Sequence, residues 1–360
     1  MTMVPGSAVA TAKSMYMLAA RGRISTQFSI VASPLSSMPS LTIFDRVGKK
    51  RQRARAATKL DWAEYEYLRA EVAKRLVDRL EDIMRDFPQA LELGAYGPHI
   101  AQEVNAVKGL NGKGGAGGIE TLVRCGLTEE GLLPASMTSK SVTQEGNAKI
   151  LNLLGDEEHL PFSPASFDLI VSNLSLHWIN DLPGAMTQAR DVLKPDGVFL
   201  ASMFGGNTLK ELRVAFQLAE QEREGGISPH ISPSAHVADC GSLLQAAGFA
   251  LPTVDVDTIT VSYPDALVLM EHLQGMGESS AILTRRPYVS RETFLAAAAI
   301  YQDLYAEADG SVPATFQVVY MIGWAPHDSQ PRPKKRGSGR VSMKTLQKGA
   351  SDGNGGGPAR

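Results

Sequence analysis

Four side chains within six positions could do chemistry: Asn173, Ser175, His177 and Trp178. The imidazole titrates near neutrality and can take or give a proton, the amide and hydroxyl can orient a reacting group, and the indole suits a pocket wall. A solitary histidine is as readily a structural residue held by hydrogen bonds. Upstream, Asp156 and Glu157 precede Leu160-Pro161-Phe162, where Asp156 either faces a ligand or simply caps a turn. Glu92, Gly94 and Gly97 make a third group. An acid beside glycines marks a turn whose missing Cβ atoms let the backbone approach a bound molecule.

These groups need a frame that brings them together. Phe167 to Leu174 opens with one acid and continues as an almost unbroken apolar run, which suits a strand buried on both faces of a parallel sheet. Leu182, Ala185, Met186, Ala189 and Leu193 recur at three- and four-residue steps. They predict a helix that Lys194-Pro195-Asp196-Gly197 stops, with Val198 to Met203 as the next strand. Such a βαβ unit places small-ligand sites at the carboxyl ends of its strands. Ala90 to Gly94 reads as the first strand and its turn, and Thr121 to Cys125 as the second. Trp62 to Phe87 carries an apolar stripe at helical spacing and should pack beside the sheet.

The chain has 360 residues and a formal net charge of −2. That gives no general basic field for nucleic acid. Two cysteines, Cys125 and Cys240, are too few for a disulfide framework. No apolar run has the length to cross a bilayer. From Met1 to Phe44 there is no Asp or Glu, while Lys13, Arg21 and Arg23 add positive charge. This composition fits a mitochondrial or plastid transit peptide. The run Lys49 to Arg55 reads as a solvated basic surface that an acidic partner could touch. Lys108 to Gly118 lacks the order of a phosphate-binding loop and reads as a flexible insertion.

Past Phe204, helical patterns cover Thr208 to Glu224 and Asp239 to Ala247. Alternation from Leu251 to Val261 and the apolar Ala314 to Trp324 predict two more strands. Between them lies a helical region, Tyr263 to Tyr305, with Gly275 and Gly277 as a hinge or tight turn. Such an insertion commonly lids the substrate side of a sheet.

Three motifs in order, Gly155 to Phe162, Ser166 to Ile170 and Leu193 to Gly197, resemble the class I S-adenosylmethionine-dependent methyltransferases. The resemblance implies an α/β, Rossmann-like fold with a central, mostly parallel sheet, helices on both faces and a C-terminal helical insertion. It implies S-adenosyl-L-methionine held by Glu92, Gly94, Gly97, Asp156, Glu157 and Asn173, with Asp156 accepting from the adenine amino group. Tyr96 and Pro98 stand where that pattern has its second and third glycines, and Gly126 where it has the ribose-gripping acid.

A narrower resemblance rests on Ile43-Phe44-Asp45-Arg46, Phe204 to Leu209, Glu220 to Gly226, Ser228 to Pro233, Leu273 to Ser279 and Asp309 to Thr315. Together these are similar to the mitochondrial complex I assembly factor 5 family, methyltransferase-like proteins credited with hydroxylating an arginine on an iron-sulfur subunit of NADH dehydrogenase. The resemblance implies an enzyme on the matrix side of the inner mitochondrial membrane. Its partners would be that matrix-arm subunit and other assembly factors, and a peripheral membrane contact is compatible with the basic tail. Catalysis would fall to His177, Asn173 and Trp178. Ser175, Glu222, Gln274 and Glu278 would bind substrate, since paired carboxylates match a guanidinium fork. No metal site is expected, because His230 and His236 lack a carboxylate at suitable spacing.

The corresponding segments are a transit peptide, disordered, over 1–42; a basic and helical segment over 43–89; a Rossmann core over 90–206; a helical cap with closing strands over 207–328; and a disordered, basic, glycine-rich tail over 329–360. Two other functions fit the same residues: a methyltransferase acting on a protein or small molecule, and a non-catalytic assembly chaperone with a degenerate cofactor site.

Overall fold

The computed structural model describes residues 42–331, apart from 110, 111, 113 and 134–146, and also residue 338. The expected transit peptide and most of the basic tail lie outside the described residues. The chain divides into two units, Met1–Pro326 and His327–Arg360. In the second, the Gln330 amide donates to the His327 carbonyl at 3.2 Å. Every strand and helix below belongs to the first.

Seven strands are present: β1 (Gln89–Leu93), β2 (Thr121–Gly126), β3 (Lys149–Leu154), β4 (Phe167–Asn173), β5 (Leu193–Phe204), β6 (Ala250–Tyr263) and β7 (Val312–Trp324). They join in the order β3-β2-β1-β4-β5-β7-β6, β1 to β5 running parallel and β7 antiparallel to both its neighbours. The strand order turns back between β1 and β4. Ligands of doubly wound sheets bind in the crevice at such a point. Gly94 and Ser175, far apart in sequence, meet there.

The apolar run of β4 is explained by its two faces. Leu169 and Val171 pack with the helices α2 (Tyr67–Glu81), α6 (Lys210–Glu224), α8 (Ala266–Gly275) and α9 (Arg291–Tyr305), whereas Phe167 and Ile170 pack with α5 (Leu182–Val192) and α7 (Val237–Ala246). The shorter helices are α1 (Arg46–Ala57), α3 (His99–Ala106) and α4 (Glu129–Leu132). The expected Rossmann-like α/β architecture is therefore present, with α8 and α9 forming the insertion between β6 and β7.

Three local readings differ from the structure. The expected single helix over Trp62 to Phe87 divides into a 3₁₀ turn, Trp62–Tyr65, and α2. Lys194 to Gly197 does not separate helix from strand, because β5 begins at Leu193, pairs with Phe167 and then shifts register. Arg85 holds that bulge by donating to the Asp196 carboxylate at 2.8 Å, and Lys194 reaches Asp168 at 2.9 Å. The described end of the glycine-rich segment is packed, with Ala116 to Gly118 buried beneath α2 and the Gly117 carbonyl accepting from Phe87 N at 2.8 Å.

Phe199 of β5 is wholly buried and stacks on Phe249 with ring centroids 5.1 Å apart. Phe199→Ala is expected to lower the free energy of unfolding by about 3–5 kcal/mol. A urea midpoint within error of the wild type would contradict this packing.

Candidate functional site

At the tip of β1, Glu92 is buried and accepts from Arg124 Nε at 2.7 Å. Arg124, itself fully buried, also donates to the Gly97 carbonyl and to Asn152 Oδ1, and so fixes the turn from beneath. Gly94 has φ +73°, and a Cβ there would stand 2.3 Å from Ser175 Oγ and 2.8 Å from Glu157 Oε1. The close approach that this glycine allows is taken up by the protein's own side chains. Ser175 Oγ donates to Glu157 Oε1 at 2.7 Å, and Tyr96 is buried with its hydroxyl donating to the Arg53 carbonyl at 3.0 Å. Pro98 is the residue that caps α3.

The basic run before this turn is solvated on one side only: Lys50, Arg51 and Arg55 are exposed, whereas the inner face of α1 corrects the reading for Lys49 and Arg53. Asp45 caps the helix by accepting from Gly48 N at 2.7 Å. Arg46, Lys49 and Arg53 then fall at steps of three and four and share one face. Lys49 is fully buried and Arg53 nearly so. Arg46 Nη2 donates to Asp156 Oδ1 at 2.5 Å and to Glu157 Oε2 at 2.6 Å. Lys49 Nζ donates to the Ser279 and Gly277 carbonyls at 2.6 and 3.1 Å and lies 3.3 Å from the Trp178 ring centroid. Arg53 donates to Ser175 Oγ at 3.2 Å, to the Leu174 carbonyl at 3.3 Å and to Glu278 Oε1 at 3.2 Å. The acids that bury these cations lie more than a hundred residues downstream, so local sequence shows only a charge run.

Glu278 is the acceptor on which the groups converge. Its Oε1 also receives Arg69 Nη2 at 2.7 Å, and its Oε2 receives Trp178 Nε1 at 2.6 Å and His177 Nε2 at 3.3 Å. Burial alone would raise this carboxyl, but Arg53, the His177 hydrogen bond and Lys49 hold it well below the usual carboxylate range. Burial pulls His177 below its ordinary value, against the opposing pull of Glu278. The imidazole is therefore neutral at pH 7, and with Nε2–H given to Glu278 its Nδ1 carries the lone pair. That Nδ1 is buried without a hydrogen-bond partner.

Beside this cluster, under the cover of α8 and α9, lies a cavity of about 630 Å³. Its apolar walls include Trp178, Phe204, Phe216, Phe294 and Phe316. Its polar lining includes His177, His230, Ser232, Gln274 and Ser280, of which the Ser232 and Ser280 hydroxyls are also buried and unpartnered. Ser175, His177, Trp178 and Glu278 are thus brought together, with Gln274 on the cavity wall. Asn173 sits deeper, donating to the Arg69 carbonyl at 3.0 Å and accepting from Ser202. Glu222 is not part of the cluster: its exposed carboxylate on α6 faces Arg223. Glu220 is buried and holds Ser228 and His230 instead.

Sequence reasoning missed Arg53, Arg69 and the phenylalanine walls. The three-and-four spacing of cations after Phe44-Asp45 was the available signal for α1. Among the described residues no group of three or more His, Cys, Asp or Glu is placed to hold a metal ion.

Residues 121–201 match the family described as methyltransferase domain. With the sheet order and its antiparallel β7, this defines a protein of the class I methyltransferase fold. The chain is 49% identical over 313 residues to "Arginine-hydroxylase NDUFAF5, mitochondrial" of Danio rerio, covering 87% of this chain and 92% of that one. It is 49% identical over 313 residues to the Homo sapiens protein of the same name, covering 87% and 86%. Over 175 residues it is 41% identical to "Malonyl-[acyl-carrier protein] O-methyltransferase" of Xylella fastidiosa (strain M23), covering 48% and 57%. The chain belongs to the NDUFAF5 arginine-hydroxylase family.

The S-adenosylmethionine expected from the fold does not fit these residues as arranged. Asp156 and Glu157 are held by Arg46, and the space beside Gly94 is filled by Ser175 and Glu157.

Glu278→Gln leaves Arg53, Arg69 and Lys49 without their shared anion and is expected to cost about 3–5 kcal/mol of stability. A loss below 1 kcal/mol (about a fivefold change in the folding equilibrium) would contradict the network. Because the His177 pKa is depressed below 6.5, the unfolded state binds its proton first, so stability falls as pH drops below 6.5. Glu278, depressed below 4.5, stabilises fully above that pH and loses its contribution only as pH falls through its lower folded value. Chemical denaturation at stepped pH should show the His177 slope in wild type and its loss in His177→Gln.

Proposed function

We propose that this protein hydroxylates an arginine side chain of a client, an iron-sulfur subunit of the matrix arm of mitochondrial complex I. The observation that carries the reading is the aromatic-walled cavity in which the buried His177 leaves Nδ1 unpartnered. A guanidinium is a flat cation that lies well against aromatic faces. It also brings five N–H donors, and His177 Nδ1, Ser232 Oγ and Ser280 Oγ are acceptors in want of donors. Glu278 acts through His177 rather than on the client, because four donors already occupy it. Inserting oxygen into a C–H bond consumes a two-electron oxidant that no side chain supplies, so an oxygen donor enters from outside. The chain's own part is to hold and orient the guanidinium and to exclude water from it.

S-adenosylmethionine is the cofactor implied by the fold. The relatives are named mitochondrial, and the acid-free stretch from Met1 to Phe44 supports import through a cleavable transit peptide. Within the expected cap segment, α8 and α9 serve as the cover of the cavity, and β6 and β7 close the sheet. A methyltransferase reading is favoured by the partial match to the malonyl-carrier enzyme.

Intact and peptide mass analysis of the iron-sulfur subunits, from cells with and without this protein, separates the readings. One oxygen on one arginine is expected, lost without the protein and reduced about a hundredfold in His177→Ala, the cost of losing an orienting contact. A methyl group in its place would establish the methyltransferase, and a subunit of unchanged mass would leave a chaperone.

A further inference from the structure

The acids at the adenine end of the crevice are not waiting for a nucleoside. They are bonded to α1, which lies along the strand tips with Arg46 on Asp156 and Glu157 and Arg53 on Ser175 and the Leu174 carbonyl. Asp156 Oδ1 already accepts from both Arg46 and Glu158 N, so an adenine amino group meets that oxygen only when Arg46 leaves. The glycine turn has likewise been closed by Ser175 and Glu157.

The packing of α1 is lopsided. Its inner face is buried through polar groups, while its other side borders a hollow of about 320 Å³ lined by Val47, Lys50 and Ala54 against Leu127, Glu130 and Leu154. Val47 is 61% exposed. Apart from Ala56 and Ala57, the buried residues of α1 are the cations Lys49 and Arg53. Ion pairs and hydrogen bonds hold the helix to the tips, and its buried apolar side chains are Ala56 and Ala57, packed with Trp62 and Tyr96 at its far end. Its start is pinned separately: Phe44 meets the Trp178 ring at 5.4 Å, and Asn180 Oδ1 accepts from Ile43 N and Phe44 N at 2.8 and 2.7 Å.

We propose that α1 is the resident occupant of the nucleoside half of the crevice and a hinged plug: S-adenosylmethionine binds only when α1 swings out about its anchored start. While α1 is seated, the cavity works without that cofactor. When α1 leaves, Asp156 loses Arg46 and Glu157 keeps only Ser175, whereas Glu278 keeps Arg69, His177 and Trp178, so the floor of the cavity persists. The proposal is independent of which side chain the cavity receives.

Native-state hydrogen exchange on the full chain tests it without any substitution. The amides of residues 46–57 should exchange by local opening, well ahead of those of α2 and β4, and saturating S-adenosylmethionine should deprotect them further. Exchange of α1 only with global unfolding, or S-adenosylmethionine bound with α1 as protected as before, overturns the proposal. Calorimetric titration adds a second readout: Arg46→Met and Arg53→Met should each bind S-adenosylmethionine at least tenfold tighter than wild type, while Arg46→Lys stays near wild type. Equal affinity in wild type and both methionine variants also overturns it.

Discussion

A single carboxylate, that of Glu278, decides how the rest of this crevice is arranged. Removing an anion from water is costly unless donors replace the solvent. Here Arg53 from α1, Arg69 from α2 and His177 and Trp178 from the turn after β4 do so together. The residue itself follows α8, so one side chain joins the amino-terminal helices, the sheet tip and the helical cover. It also sets the chemistry of its neighbour, because an imidazole that gives Nε2–H to Glu278 has only Nδ1 left for anything else.

From that anchor the crevice divides into two unlike halves. Over β1 the ligand space of the fold is filled by cations of the chain itself, paired with the acids that a nucleoside would otherwise meet. Over β4 and β5 the space is a cavity with aromatic walls, where His177 Nδ1, Ser232 Oγ and Ser280 Oγ are buried without partners. The same topology thus supports a site whose apolar half is ready for a side chain and whose polar half is already engaged. Gly94 shows the change of use in one residue: its missing Cβ admits Ser175 Oγ rather than a cofactor.

Much of the fold was legible because its signals are local. The two-faced apolar run of β4, the helical pattern of α7 and the alternation of β6 each reflect a period within a short window. His177 and Trp178 were found for the same reason, since a strand tip projects its last residues into the crevice. The failures are non-local. Arg46, Lys49 and Arg53 look like solvated charge until Asp156, Glu157 and Glu278 fold against them, and Glu222 looks like a partner of Glu278 until α6 turns it outward. The Lys194 to Gly197 stop was misread because register with Phe167, invisible along the chain, lets the strand start early.

Two conditions set the chemistry of the cavity: burial keeps His177 neutral, and Glu278 holds its proton on Nε2. Nitrogen-15 chemical shifts of a histidine-labelled sample at pH 7 report this directly. The account predicts a His177 resonance pair with a protonated Nε2 and an unprotonated Nδ1, the latter moving when an arginine-bearing client peptide is added. An imidazolium at pH 7, or the opposite tautomer, would contradict it.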